Sequence, residues 1–436
     1  MWTEYSSDLL REHYFMMRHE SGLSVYVFPK ALTGTYALLA TRYGSVDDVL
    51  VTEDQKTVKL PHGVAHFLEH KMFENEDGSD SFSRFSAYGA DANAYTAYHH
   101  TAYLFSCTER FEESLGELLT FVYRPYFTKQ TVKKEQGIIA EEIRMYEDNP
   151  WERCYQNLLR ALYREHPARE NICGSISSIK RITPELLYAV HRAYYHPSNM
   201  ALVVCGDVTR EQVLRIVDEK LKRVSLPARL PRRTWPQEPQ GVYRKRIRAR
   251  MQVAKPLFSI GIKDDSALRT PYERLRRDAA MTLLDEILFS RSERFYNELF
   301  EAGILTTAFS FGHSYTESFG FNCLSGESNE PETVLSRMME YLSEVQRTGI
   351  SDEAFERCRR ALYADEIRAY DSTEEIGDRL LSFVFDDVEL FSYPTLLQDI
   401  TKEELERLLC EAFREESISL SVIEPLEDTT RKEETI

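Results

Sequence analysis

Between residues 226 and 241 the chain reads LPARLPRRTWPQEPQG, and four of its sixteen prolines fall in that stretch. Proline lacks an amide proton and holds φ fixed, so neither a helix nor a central strand survives at that density. The stretch predicts a linker that divides the 436 residues into two nearly equal halves, 1–225 and 242–436. The halves are alike. ITPELLYAVHRAYYHPSNMALVV (182–204) and ITKEELERLLCEAFREESISLSV (400–422) share a threonine cap, an amphipathic helix, an aromatic near its end and a β-rich exit. Both lie just before the end of their half, which supports duplication of one unit. A chain this long also exceeds a single ordinary core.

In the first half, LSVYVFPK (23–30) and YALLATRYGS (36–45) read as strands, and ANAYTAYHHTAYLFSCT (92–108) as one long β run. Helical periodicity covers 110–124, 130–147, 151–164 and 183–195, before a closing strand at 200–208. The second half is β-rich from 242 to 263, with helices from 271 to 303 and strands around 306–328, then mostly helical up to the strand SISLSVIE. Strands and helices come in blocks without strict βαβ alternation, so the predicted class is α+β: two similar domains, each a mainly antiparallel sheet packed with helices.

Against that frame stands HGVAHFLEHKMFE (62–74), which sets ionisable groups into a mostly apolar run. A helix advances about 100° per residue, so His66 and His70 share a face and Glu69 falls about 60° from His66 on the same side. Val64, Phe67, Leu68 and Met72 spread over the remaining faces, as in a buried helix. Burying a carboxylate and two imidazoles without partners costs several kcal/mol, and a divalent metal satisfies all three. The alternative is a polar patch on a surface helix. His62, one turn earlier beside Pro61 and Gly63, suits the helix entry better than a ligand position.

A catalytic zinc normally takes three protein ligands and leaves one position open. The third is sought in QTVKKEQGIIAEEIRMYEDNP (130–150), whose apolar axis runs through Val132, Ile139, Ile143 and Tyr146. Projected on a helical wheel, Glu135 and Glu142 lie within about 60° of that axis while Glu141 points away. Glu142 is the predicted ligand. Glu135, two turns earlier on the same face, is placed to orient one.

H-x-x-E-H on one helix, followed about 70 residues later by E-x-x-x-x-x-x-E on another, resembles the inverzincins of the pitrilysin/insulinase peptidase family. Here the matching residues are His66, Glu69, His70, Glu135 and Glu142. GADANAYTAYHHTAYLFS is similar to that family's edge strand and PSNMALVVCGDV to the strand closing its first domain. The first half carries the likeness most strongly, and it is greatest to the zinc-bearing subunit of short bacterial two-subunit members. The resemblance implies a duplicated pitrilysin-like fold, 1–225 being a catalytic zinc domain and 242–436 a non-catalytic homologue. It further implies a zinc metalloendopeptidase in which His66, His70 and Glu142 hold zinc and Glu69 is the general base. A flexible peptide would add as a strand beside 92–108, bonding main chain around Asn93 and Ala94.

One departure from the family pattern stands out. Members carry an Arg and a Tyr, seven apart, that hold substrate and oxyanion. In SERFYNELFEAGILTTAFSF (292–311) those places hold Leu299, or Phe300 if one residue is deleted, and Thr306. An apolar group cannot donate to an oxyanion. The resemblance, with this departure, thus implies a heterodimer with a homologous partner subunit that supplies the pair and lacks the zinc motif. A degenerate, non-catalytic scaffold subunit of the same family is the alternative.

The remaining features exclude other classes. A formal net charge of −17 argues against nonspecific nucleic-acid binding, and RKRIRAR (244–250) alternates as an exposed edge strand does. No run of eighteen apolar residues occurs and the N-terminus has no signal-peptide pattern, so a cytoplasmic protein without membrane association is expected. Seven scattered cysteines, never in C-x-x-C spacing, are expected as reduced thiols. His99 and His100, adjacent in a presumed strand, would point to opposite faces, a poor chelating arrangement.

Overall fold

The computed structural model describes residues 1–51, 57–222, 232–264 and 269–426. By compactness the chain forms two units. The first comprises 1–143, 171–235 and 364–392, and the second 144–170, 236–363 and 393–436.

The first unit is built on strands β1 (Thr3–Ser7), β2 (Glu12–Arg18), β3 (Ser24–Pro29), β4 (Thr35–Thr41), β7 (Asp91–Thr96), β8 (Thr101–Cys107) and β9 (Met200–Gly206). A separate hairpin pairs β5 (Val49–Val51) with β6 (Thr57–Lys59). The seven-stranded sheet runs β1-β2-β3-β9-β4-β8-β7. Its middle strands, TYALLAT and MALVVCG, are buried along their whole length, because near-continuous apolar runs suit strands covered on both faces. Strand β7 lies at the sheet's edge, where its outer side meets no described strand.

The second unit holds β10 (Arg246–Met251), β11 (Leu257–Asp264), β12 (Ser310–Tyr315), β13 (Gly320–Glu327) and β14 (Ile418–Pro425), in the order β10-β14-β11-β13-β12. The duplication is written in the pairing. Strands β3 and β9 are parallel, as are β10 and β14, while β9-β4-β8-β7 and β14-β11-β13-β12 are antiparallel throughout. The α+β class and the repeated sheet agree with the pattern of the sequence.

The assignment of helices to units crosses the chain's midpoint. The first sheet is covered on one face by the helix Thr373–Phe385, whose Ile376, Leu380 and Leu381 are buried with Leu38, Val203 and Phe28. Gly377 lies so close to Tyr36 that a Cβ would sit 2.5 Å from the ring, so only a bare backbone allows this approach. Conversely, the helix Pro150–Leu162 belongs to the second unit, with Cys154 packed against Leu257 and Ile423 and Leu158 against Gly261. Proximity in sequence does not decide which sheet face a helix covers; matching of apolar faces does.

Of the proline-rich stretch, residues 226–231 lie outside the described residues. The remainder has neither helix nor strand, as proline dictates, yet it is tied down. Arg233 Nε donates to the buried Asp47 carboxylate at 2.8 Å, within the first unit. Glu238 accepts the backbone amides of Arg164, Glu165 and His166 at 2.8 Å each, within the second.

The reading of 92–108 and of its two histidines needs correction. The run 92–108 is a hairpin, its strands separated by a turn that closes with Ala97 N donating to His100 O at 2.8 Å. His99 and His100 therefore occupy a turn and do not alternate on a strand. The helices expected over 271–303 are Pro271–Phe289 and Arg294–Glu301, separated where Ser290 takes extended backbone. Strands β1 and β2 went unread, since TEYSS and EHYFMMR lack clean apolar alternation.

Candidate metal centre

The helix Val64–Met72 starts from Gly63, a left-handed residue at φ 92° with no side-chain cap. Glycine is required twice over. A Cβ there would lie 2.4 Å from the Cys173 carbonyl oxygen, and the neighbouring Gly174, at φ 76°, approaches the His62 carbonyl oxygen as closely, at 2.3 Å. The Ser178 hydroxyl donates to that same carbonyl at 2.7 Å. The loop before the Ile176–Ile179 helix thus fixes where the Val64–Met72 helix begins. His62 lies outside the helix, and its Nδ1 is buried without a hydrogen-bond partner.

From that start, the apolar side chains Phe67 and Leu68 are fully buried and turn His66 and His70 toward the Lys129–Asp148 helix. Val132, Ile139 and Ile143 are the buried residues of the latter, which brings Glu135 and Glu142 to the same side and leaves Glu141 exposed. Nε2 of His66 lies 3.6 Å from one Glu142 oxygen, and Nε2 of His70 lies 3.6 Å from the other. Each of the three offers a donor atom within 4.8 Å of the others, and they are the one such group among the described residues.

Two nitrogens and an oxygen bound to one tetrahedral ion at about 2.0–2.2 Å stand about 3.3–3.5 Å apart, close to these spans. The charges point the same way. Glu69, Glu135 and Glu142 crowd around two imidazoles, and a divalent cation offsets the excess of negative charge. Nδ1 of His70 lies 3.1 Å from Glu135, so a proton on Nδ1 leaves the Nε2 lone pair for an ion. Burial pushes the His70 pKa down, but the Glu135 hydrogen bond and the carboxylates of Glu69, Glu142 and Glu135 outweigh it and leave the pKa raised.

Glu69, 8 % exposed, is not one of the three converging donors, and its Oε2 accepts a hydrogen bond from the Thr96 hydroxyl at 2.5 Å. Asn93 and Ala94 lie on β7 itself, and the Asn93 side chain accepts from the Ala94 amide at 2.8 Å. Two neighbours went unread in the sequence. Thr96 lies three residues beyond Asn93, and only the hairpin brings it to Glu69. The buried Cys173 thiol lies 3.7 Å from His66 Nε2, in a loop whose sequence carries no periodic signal.

In the second unit the equivalent junction, between the helix Pro271–Phe289 and the edge strand β12, carries a different arrangement. His313 bonds Asp285 through Nδ1 at 2.9 Å and Asp278 through Nε2 at 3.2 Å. Burial lowers its pKa, but the two carboxylates overcome this and raise it to about 10. With each ring nitrogen committed to a separate carboxylate, this is a charge clamp, and its donors do not converge on one ion.

Residues 57–175 match the family Insulinase (Peptidase family M16), and residues 181–362 match the family Peptidase M16 inactive domain. The chain belongs to peptidase family M16. An uncharacterized zinc protease of Bacillus subtilis, YmfH, is 36 % identical over 95 % of this chain and 97 % of its own length. An M16-like peptidase from Alicyclobacillus acidocaldarius, solved by crystallography, is 33 % identical with a TM-score of 0.90, covering 98 % of this chain and 99 % of that one. The periplasmic protease PqqL of Escherichia coli shares the fold at 17 % identity and a TM-score of 0.73, this chain matching 49 % of its length. The M16 assignment accounts for the duplicated α+β fold, and the homologues named zinc protease agree with a donor set of this kind. No helix among the described residues is long and apolar enough to cross a membrane.

Proposed function

We propose that this chain is a zinc-dependent metalloendopeptidase that cuts flexible peptides, as the zinc-bearing subunit of a heterodimer in the cytoplasm. The observation that carries the reading is the convergence of His66, His70 and Glu142 to within 4.8 Å. These three would hold zinc, with Glu135 fixing the His70 ring from behind. Bound there, zinc supplies Lewis acidity toward a peptide carbonyl and lowers the pKa of a water toward neutrality.

Glu69 adjoins the ligand His70 in sequence and is not itself one of the converging donors, so its carboxylate is available as a base. It takes a proton from the attacking water and delivers it to the departing amide nitrogen. Strand β7 receives the peptide along its open edge, where main-chain bonding around Asn93 and Ala94 reads extended backbone more than side chains. On this reading the catalytic work belongs to the first half, 1–225, and a homologous, non-catalytic role to the second, 242–436.

The partner follows from what the second half lacks. Leu299 is buried, Phe300 is 44 % exposed, and the Thr306 hydroxyl lies 3.4 Å from Glu327. None supplies a cationic or phenolic donor, so a homologous subunit would bring the Arg and Tyr. Glu69→Gln, mixed with that partner, is expected to retain zinc and lose peptide cleavage; near-normal turnover would remove Glu69 as base. Turnover by the chain alone equal to that of the mixture would remove the partner.

A further inference from the structure

We propose that Thr96 is a positioning residue that holds Glu69 in its working rotamer and fastens it to the strand that receives the peptide. The inference rests on the peptidase reading of the same site. An ionised carboxylate only accepts hydrogen bonds, so in the 2.5 Å contact the Thr96 hydroxyl donates and Glu69 Oε2 accepts. One oxygen of Glu69 is thereby committed to the strand. The other is left to work on a water.

The donor is itself held in place. Thr96 ends β7 and pairs across the hairpin with Thr101, which is fully buried and donates its hydroxyl to the Tyr43 carbonyl at 2.9 Å. Glu69 is fixed from the other side by its helix, between His66 and His70. A base on a flexible side chain would lose rotamer freedom each time it worked, and an error of about 1 Å in such a group costs about a hundredfold in rate. Thr96 removes that freedom in advance. Because β7 is also the edge strand of the sheet among the described residues, the strand that positions the peptide and the strand that positions the base are one element.

Three properties follow. Thr96→Val keeps the shape and removes the donor, so kcat should fall about 10- to 100-fold while KM changes by less than about threefold and zinc content is unchanged. Thr96→Ser restores the donor and should recover kcat to within about threefold of wild type. In a crystal structure of metal-free Thr96→Val, the Glu69 carboxylate should leave its place by more than the roughly 0.5 Å that a working constellation tolerates.

The crystal readout needs no turnover, so it decides the positioning role even if wild type with its partner cuts no peptide and the peptidase reading fails. The proposal is overturned by wild-type kcat in Thr96→Val. It is equally overturned by a Glu69 carboxylate that stays in place without the hydroxyl, or by Thr96→Ser as impaired as Thr96→Val.

Discussion

Removing Glu135 tests how the ring of His70 is held. Its oxygen lies 3.1 Å from Nδ1 of His70, and the side chains of the pair are 13 % and 27 % exposed, so solvent screens the contact only in part. Carboxylates that orient a metal-binding imidazole in this way typically contribute 10- to 100-fold in metal affinity, which is about 1.4–2.7 kcal/mol. Glu135→Ala removes the acceptor and the charge together, so the upper part of that range applies. Glu135→Gln keeps a carbonyl acceptor and loses only the charge, which places it near tenfold. Competition titration of the purified protein against a chromogenic zinc chelator measures both. Glu141→Ala, on the exposed side of the same helix, is the control and should stay within about twofold of wild type. Zinc affinity of Glu135→Ala equal to that of the control would refute the reasoning.

Gly63→Ala should destabilise by about 2 kcal/mol or more, from the left-handed backbone and the contact with the Cys173 carbonyl, and should weaken zinc binding with it; a melting temperature equal to wild type would contradict this. A fragment of residues 1–225 lacks Ile376, Leu380 and Leu381, which bury one face of the first sheet. It should bind the dye ANS and unfold without cooperativity, and a sharp thermal transition would show that the sheet does not need them. Burial holds the pKa of His191 down to about 4, although its bond to the Val122 carbonyl works the other way. The unfolded chain then binds the extra proton between about pH 6.5 and 4, so stability falls as pH drops through that window, by about 2 kcal/mol at pH 5 from this group alone. Denaturant midpoints of wild type and His191→Gln at pH 7 and pH 5 measure it, and an equal acid loss in both would rule the group out.

What could be read from the sequence follows from how local each signal is. Helical spacing depends on residues four apart, so His66 and His70, and the inward turn of Glu135 and Glu142 with Glu141 facing out, could be projected on a wheel. The duplication showed because a cap, an amphipathic helix and a β exit recur together. Thr96 escaped because its contact with Glu69 spans 27 residues and depends on the hairpin turn at 97–100. The allocation of helices to units escaped for a related reason. Leu158 and Leu380 look like any buried leucines, and which sheet each covers is settled by the complementary face, with Gly261 and Gly377 giving the room.

The most direct test of the whole account is anomalous diffraction at the zinc edge from crystals grown with zinc. The account predicts one strong peak bounded by Nε2 of His66, Nε2 of His70 and the Glu142 carboxylate, and its loss in His66→Ala. A peak elsewhere, or none at that place in the wild-type protein, would contradict it.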